Sequence, residues 1–216
     1  VGGFATPPDG FFGAMKKVLD DYGIPFISDE VQTGWGRTGD HFWGYEAHGL
    51  VPDALTFAKG IANGLPLAGV VATPALVDAI HANSISTFGG NPVAVAAANA
   101  NLEYLLSHDL QANARRTGAR LRARLEAAAS RHQFVAEVRG RGLMLALETV
   151  QPGGIVPDPA AAAAVLEATR RHGVLIGKGG LYGNVLRVAP PLSISEAEID
   201  RAADAIDAAL DEVAAA

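Results

Sequence analysis

Short apolar runs alternate with helical patterns along the first half of the sequence. The stretches "IPFISDEV", "DALTFAK" and "LAGVVAT" have the composition of buried strands, and the first of them ends in acidic residues. The spacing of Phe12, Met15 and Leu19 predicts a helix before these strands, and Asn91-Pro92 is a typical start for a helix after them. Strand and helix in alternation predict an α/β layered domain with a largely parallel sheet.

Polar residues mark where the helices of this half are expected to begin. Asp9 is placed to cap the first helix, and Thr73 and Asn91 each precede a proline at a predicted first helical position. We expect the helix after Thr73 to bury one apolar face, made of Leu76, Val77 and Ile80.

The second half has a different character. A basic amphipathic helix, "NARRTGARLRARLEAAASRH", is followed by a predicted hairpin around "RGRG", a helix opened by Asp158-Pro159, and the short strands "VLIG" and "VLRVA". Ser195 and Glu198 form a capping box for the last helix. We therefore predict two domains: residues 1–107, part of a larger α/β domain, and residues 108–216, a small α+β domain.

Composition excludes several classes of protein. With 49% hydrophobic and 19% charged residues, 216 residues can bury a sizeable core, and a net charge of -6 argues against binding to nucleic acid. No apolar run approaches the length of a membrane span. The absence of cysteine removes disulfides, thiolate nucleophiles and zinc–thiolate sites. The histidines follow no metal-site spacing, so we predict no metal, and we expect a cytoplasmic protein.

One glycine motif resembles a nucleotide-binding fingerprint. "GWGRTG", from Gly34 to Gly39, fits the G-x-G-x-x-G pattern and follows a strand. A dinucleotide site would also need a helix to begin at once and a carboxylate about 20 residues later, where Lys59 stands instead. A nicotinamide oxidoreductase would rest on this motif alone, and we interpret the glycines as parts of a tight loop near a ligand.

Lys59 is the most informative single residue. The chain has four lysines, and Lys59 alone ends an apolar predicted strand. Burial of its ammonium group would lower the pKa and make the amine nucleophilic, as in lysines that form Schiff bases. The alternative is a lysine whose ammonium reaches water from the strand end.

Three further residues carry potential site chemistry. Asp29 ends a predicted strand, where open α/β sheets bind ligands, and strand alternation places Asp29 and Val31 opposite Glu30. In "SISTFGGNP", Thr87 and two glycines precede a helix start, a combination suited to anions. Arg187 lies in an apolar strand, where it would bind either a substrate carboxylate or an internal acid.

Taken together, these motifs resemble a known family. "FISDEVQTGWGRTGDHFWGYEAHGLVPDALTFAKGIANGLPLAGVVAT", "STFGGNP" and "LRVAPPL" are similar to class III aminotransferases of fold type I, nearest to the alanine–glyoxylate and ω-amino acid:pyruvate types. The resemblance implies pyridoxal phosphate as cofactor, an amino acid and a 2-oxo acid as substrates, and a homodimer. It also implies the C-terminal part of the cofactor-binding large domain, followed by the small domain.

The resemblance also implies roles for individual residues, matched position by position. Lys59 would form the Schiff base, Asp29 would face the pyridine nitrogen, and Val31 would pack on the ring. Gln32 would reach the phenolic oxygen, Thr87 the phosphate held by the neighbouring subunit, and Arg187 a substrate carboxylate. Arg37 is left as a structural ion-pair candidate.

The family's N-terminal half has no counterpart in the sequence, which begins at Val1. We therefore expect the 216 residues alone to bind the cofactor poorly and to turn over little substrate. Two alternatives remain open. The same scaffold supports aminomutase, racemase or decarboxylase chemistry, and a truncated chain could be a non-catalytic dimerisation fragment.

Overall fold

The structure, a computed structural model, describes residues 2–215. These residues divide into two compact units: residues 7–111 form one unit, and residues 2–6 together with residues 112–215 form the other. The domain assignment 1–107 and 108–216 remains a proposal. The first residues of the chain pack with its second half, which the sequence pattern does not indicate.

The unit of residues 7–111 contains a three-stranded sheet in the order β1-β2-β3. Its elements in chain order are α1 (Phe11–Asp21), β1 (Ile27–Asp29), β2 (Ala54–Phe57), β3 (Gly69–Ala72), α2 (Pro74–Asp78) and α3 (Pro92–Ser107). β1 and β2 are parallel, whereas β3 pairs antiparallel with β2. The predicted α/β class is confirmed, and one of the two strand pairings is parallel.

The unit with residues 112–216 contains a four-stranded antiparallel sheet in the order β4-β5-β7-β6. Its elements are α4 (Leu110–Ala129, which begins two residues earlier), β4 (Val135–Arg141), β5 (Met144–Thr149), α5 (Pro159–Arg171), β6 (Gly177–Gly179), β7 (Val185–Val188) and α6 (Glu196–Ala214). β4 and β5 form the predicted hairpin. A continuous apolar core includes Leu121, Leu125, Leu147, Leu186 and Ile206.

Side-chain caps mark the start of three of the six helices described here, α3, α5 and α6. Asn91 accepts hydrogen bonds from the backbone N–H groups of Val93 and Ala94. Asp158 caps α5 in the same way, and Ser195 and Glu198 form the predicted capping box of α6. Each of these side chains occupies backbone donors that the first helical turn leaves without partners.

Two predictions about helices were wrong. α1 is preceded by Gly10 in a left-handed conformation (φ 83°), so Asp9 is not its cap residue. α2 spans only Pro74–Asp78, and Val77 and Ile80 are 53% and 67% exposed. One and a half turns are too short to present a continuous apolar face to the sheet. Within residues 2–215, no helix is both long and apolar enough to cross a membrane.

Candidate active site

Glu30 anchors the loop that follows β1. It is 1% exposed, and its carboxylate accepts four hydrogen bonds. They come from the hydroxyls of Ser28 (2.8 Å) and Thr33 (2.6 Å) and from the backbone N–H groups of Gly44 (2.7 Å) and Tyr45 (2.8 Å). A buried carboxylate needs such a set of donors. Strand alternation, which places Glu30 opposite Asp29, turns Glu30 towards these donors and gives it a structural role.

Asp29, on the opposite side of the chain from Glu30, is exposed. Its Oδ1 accepts a hydrogen bond from the backbone N–H of Val31 (3.1 Å). In the parallel register of β1 and β2, Asp29 lies opposite Thr56, three residues before Lys59. Asp29 and Lys59 are therefore brought to the carboxyl edge of the same sheet, where α/β proteins bind ligands.

Lys59 begins a short 3-10 turn, Lys59–Ala62, instead of ending the strand. β2 stops at Phe57, and Lys59 has a left-handed backbone (φ 49°). Its side chain is exposed, so the expected burial of the ammonium group is not observed in this chain. The backbone turn gives the buried positions to Ile61 and Ala62. A non-glycine residue at positive φ stores strain, which is a feature of functional sites.

Asn101 holds this turn in place. It lies on α3, and its Nδ2 group donates to the carbonyl oxygens of Gly60 (2.9 Å) and Ile61 (3.0 Å). Two carbonyls of the 3-10 turn thus have a side-chain donor, which ties the position of Lys59 to a long helix. The sequence analysis did not single out Asn101; an amide within the alanine-rich run "VAVAAANANLE" was the available signal.

The glycines of "GWGRTG" belong to a loop in which aromatic rings pack together. The ring centroids of Trp35 and Trp43 lie 4.8 Å apart, and Phe57 is 5.4 Å from Trp35. A Cβ on Gly34 would meet the Trp43 ring at 2.7 Å, so the glycine makes room for an indole. Turns follow β1 instead of a helix, which excludes the dinucleotide fingerprint. Burial lowers the pKa of Arg37 in this loop, and its ion pair stays a prediction.

Thr87 lies in an exposed segment, residues 77–90, before α3, and Gln32 is exposed as well. The first free N–H groups of α3 are already bound by Asn91, and Pro92 has no N–H group. The helix start therefore offers an anion fewer donors than the sequence suggested. The Thr87 hydroxyl remains accessible for such a contact.

Arg187 belongs to the other unit, on the central strand β7. Its guanidinium carbon lies 4.4 Å from the centroid of the Phe4 ring, a cation–π contact. Phe4 is buried with Ala146 and Val185 on the face of the sheet opposite the main core. The sequence analysis missed Phe4, whose position ahead of the predicted elements gave no signal for this contact.

The buried Arg139 forms ion pairs and also holds Gly3, the neighbour of Phe4. Arg139 donates through Nε (3.1 Å) and Nη2 (2.9 Å) to the Gly3 carbonyl and also contacts Glu137 and Glu148. Burial opposes the charge on Arg139, but hydrogen bonds to the two acids outweigh it and raise its pKa. These groups and the first residues of the chain line a cavity of about 280 Å³. Phe4 is held at positive φ (54°) beside this network.

Comparison with known proteins places the chain in a family. The family model described as "Aminotransferase class-III" matches residues 1–210. The chain is 41% identical over 209 residues to alanine–glyoxylate aminotransferase 2 homolog 2, mitochondrial, of Arabidopsis thaliana; the match covers 96% of this chain and 44% of the relative. An alanine/serine racemase of Pyrococcus horikoshii is 36% identical over 208 residues, with coverage of 96% and 44%.

Solved structures agree with this assignment. A phospholyase from Arthrobacter in complex with phosphoethanolamine superimposes with a TM-score of 0.92 at 37% identity, covering 97% of this chain and 50% of the other. An S-selective transaminase from Arthrobacter sp. gives a TM-score of 0.87 at 33% identity, covering 98% and 49%. The chain spans about half the length of these relatives. By its family match and its fold, it belongs to the class III aminotransferases.

Proposed function

We propose that the protein containing these 216 residues moves an amino group between an amino acid or ω-amine and a 2-oxo acid of the pyruvate or glyoxylate type. Pyridoxal phosphate would be carried on Lys59. The observation that carries this proposal is the pairing of β1 and β2, which brings Asp29 and the Lys59 turn to one sheet edge. Family membership supports the same activity.

The side chains at this edge suit the cofactor in their chemistry. Lys59 offers an accessible primary amine, Asp29 an accessible carboxylate, and Thr87 an accessible hydroxyl. Asp29 makes a single hydrogen bond among those described here, to the Val31 N–H group, so its carboxylate has lone pairs left for a ligand. Val31 and Gln32 follow directly, and we propose that they contact the ring and its phenolic oxygen.

Pyridoxal phosphate supplies an electron sink for a carbanion at the substrate Cα. Asp29, as an anion, would favour a proton on the pyridine nitrogen and so strengthen this sink. The Lys59 amine, once free, would take the proton from Cα as a general base. Arg187 would orient the substrate through its carboxylate, because a guanidinium fork matches a carboxylate with two parallel hydrogen bonds.

We further propose that the site is completed by other polypeptide, including a second copy of the protein. Lys59 and Asp29 are exposed here, and so are the apolar side chains of Val70, Ile85 and Phe88 (65%, 89% and 78%). Apolar groups exposed in one unit are typical of a surface that another chain or segment covers. In a homodimer, Thr87 would bind the phosphate of the neighbouring subunit's cofactor. A cytoplasmic location remains a prediction.

Borohydride trapping tests the covalent role of Lys59. The chain is incubated with pyridoxal phosphate, reduced with sodium borohydride, and digested for peptide mass mapping. We expect the phosphopyridoxyl group on Lys59 at sub-stoichiometric yield, because we propose that other polypeptide completes the site. Lys59→Ala should lose this label. Lys178→Ala, which removes another exposed lysine, is the matched control and should keep it.

Two outcomes would contradict these proposals. A label spread evenly over Lys16, Lys17, Lys59 and Lys178 would contradict the proposed role of Lys59. Robust transamination by the 216 residues alone would contradict the proposal that the site needs further polypeptide.

Other reactions on the same scaffold are the second candidate, because a racemase and a phospholyase stand among the similar proteins. The full-length protein can be given ¹⁵N-labelled alanine with glyoxylate. Transamination moves the label to glycine, whereas racemisation leaves it on alanine of both configurations. Label found on alanine of both configurations, with none on glycine, would favour racemisation over the proposed amino-group transfer.

A further inference from the structure

A ladder of ion pairs joins α4 to α6 in the second unit. Three arginines on α4 face three acids on α6 at steps of one helical turn; Arg120 also lies 4.0 Å from Glu196, and Arg124 lies 3.3 Å from Asp200. The pairs are Arg116 with Glu196 (2.9 Å), Arg120 with Asp200 (2.7 Å) and Arg124 with Asp204. Along this ladder the charges of the two helices balance.

The balance fails where α4 ends. Beyond Ala129, Arg131 contacts Asp207 and also lies 3.7 Å from Asp211. Asp207 and Asp211 are one turn apart on α6, so their carboxylates project from the same face. Two carboxylates therefore share one guanidinium, and one negative charge is left to be balanced by another cation.

The neighbouring imidazole is buried and points at these acids. His132 is 8% exposed, and its ring packs against Phe134 with centroids 5.6 Å apart. Its Nε2 has no partner in hydrogen-bonding geometry, although Asp211 Oδ1 lies 3.1 Å away. A neutral imidazole that presented its lone pair here would face a carboxylate oxygen, and the two acceptors would repel each other. A shared cation removes that repulsion.

We propose that His132, Asp207 and Asp211 bind a divalent cation of the zinc class. One ligand atom from each residue lies within 4.8 Å of the others. Zinc holds nitrogen and oxygen at about 2.0–2.2 Å, which places tetrahedral ligands about 3.4 Å apart. The His132–Asp211 separation already approaches that spacing, and rotation of the more exposed carboxylates can close the rest. An imidazole among the ligands favours zinc over magnesium or calcium, which prefer oxygen.

Arg131 is the competitor of the cation. Its guanidinium contacts Asp207, and its side chain is 47% exposed, so it can swing into solvent when a metal replaces it. Loss of this guanidinium should strengthen zinc binding, because the ion then no longer has to displace a bound charge. If His132, Asp207 and Asp211 had only a structural role, loss of the Arg131 guanidinium would not change the zinc affinity.

Calorimetric titration of the 216-residue chain with zinc chloride, after removal of metals, tests the site. We expect one saturable site, with magnesium chloride giving no comparable heat. Asp211→Asn should weaken zinc binding by more than about 100-fold, since loss of a direct ligand exceeds the effect of an outer-shell change. Asp204→Asn is the matched control: it lies on the same helix and faces Arg124, and its zinc affinity should equal that of the parent chain.

Two more variants sharpen the test. Arg131→Gln should tighten zinc binding several-fold, and Asp207→Asn should weaken it; both residues are partly exposed, so the fold should survive, as circular dichroism can verify. Absence of saturable zinc binding overturns the proposal, because a proton then suffices at His132. Binding that survives Asp211→Asn, or that weakens in Arg131→Gln, overturns it as well, because the ion is then held adventitiously elsewhere.

Discussion

Glu30 shows how much a single side chain can organise around a site. Its four hydrogen bonds connect the end of β1 to the loop that carries Gly44 and Tyr45, while the adjacent Asp29 remains available on the other side. The structural acid and the candidate catalytic acid are thus neighbours in sequence with opposite surroundings. Strand alternation is the physical cause, because successive side chains point to opposite faces.

Glu30→Gln should be strongly destabilising. The amide has one acceptor oxygen where the carboxylate has two, so either the Gly44 or the Tyr45 N–H group loses its acceptor and meets the NH2 donors of the amide instead. We expect a loss of about 3 kcal/mol in the free energy of unfolding, measured by urea denaturation. Glu46→Gln is the control: Glu46 is exposed and accepts from the Trp43 N–H group, and its loss should stay below about 1 kcal/mol. Equal effects would contradict a special role for Glu30.

The pair of Glu148 and Arg139 makes stability sensitive to acid. Burial alone would raise the pKa of Glu148, but hydrogen bonds from Arg139 and Asn184 and the charge of Arg139 lower it below its ordinary 4.5. A depressed carboxyl pKa contributes stability above the unfolded value and loses it as the pH falls through the folded value. The gap in the free energy of unfolding between the parent chain and Glu148→Gln should therefore shrink as the pH falls below 4.5.

Thermal unfolding at a series of pH values measures this gap. Glu137→Gln provides the comparison, because Glu137 contacts the same arginine from a more exposed position. Water screens an exposed pair, so its gap should be small at every pH. A gap for Glu148→Gln that does not change on acidification would contradict the assigned cause.

At the scale of elements, alanine is expected to have opposite effects on stability at two helical glycines. A Cβ on Gly118 of α4 would lie 2.4 Å from the backbone of Gly142 in the hairpin, whereas a Cβ on Gly13 of α1 would meet nothing within 4 Å. Gly118→Ala should cost about 1–3 kcal/mol through overpacking. Gly13→Ala should add up to about 1 kcal/mol, the ordinary helix preference of alanine. Urea denaturation of both variants checks the signs, and a stabilising Gly118→Ala would contradict the close approach of α4 to the hairpin.

The sequence predicted the elements whose signals are local. The caps at Asn91, Asp158 and Ser195 and the hairpin between β4 and β5 could be read directly, because cap and turn residues act within a few positions. The left-handed turn at Lys59 could not, since it depends on Asn101, far along the chain.

Burial was the property that the sequence predicted least well. Lys59 and the face of α2 have apolar neighbours along the chain, yet both are exposed. Which groups are buried depends on the chains and segments that pack around them. An apolar stretch of sequence indicates only that burial of its side chains is favourable. The surroundings of Arg187 have the same dependence, because its guanidinium contacts Phe4, more than 180 positions away in the sequence.

At the scale of the whole molecule, the two units differ in how much they bury. The unit with residues 112–216 has a core of fully buried leucine, isoleucine and valine side chains, whereas α1 and α2 contain no buried residue. Amides in β5 and β7 should therefore resist hydrogen exchange much longer than those in α1 and α2. Exchange followed by mass spectrometry at peptide resolution measures this, and uniform protection across both units would contradict it.

The docking of residues 2–6 bears on how the protein can be dissected. A recombinant piece limited to residues 112–216 would lack the Gly3 carbonyl that receives Arg139 and the ring that covers Ala146 and Val185. In such a piece Arg139 would lose its carbonyl acceptor, and the apolar side chains under Phe4 would be uncovered. Adding a synthetic peptide of residues 1–6 in trans, or fusing it through a flexible linker, would supply both missing parts at once.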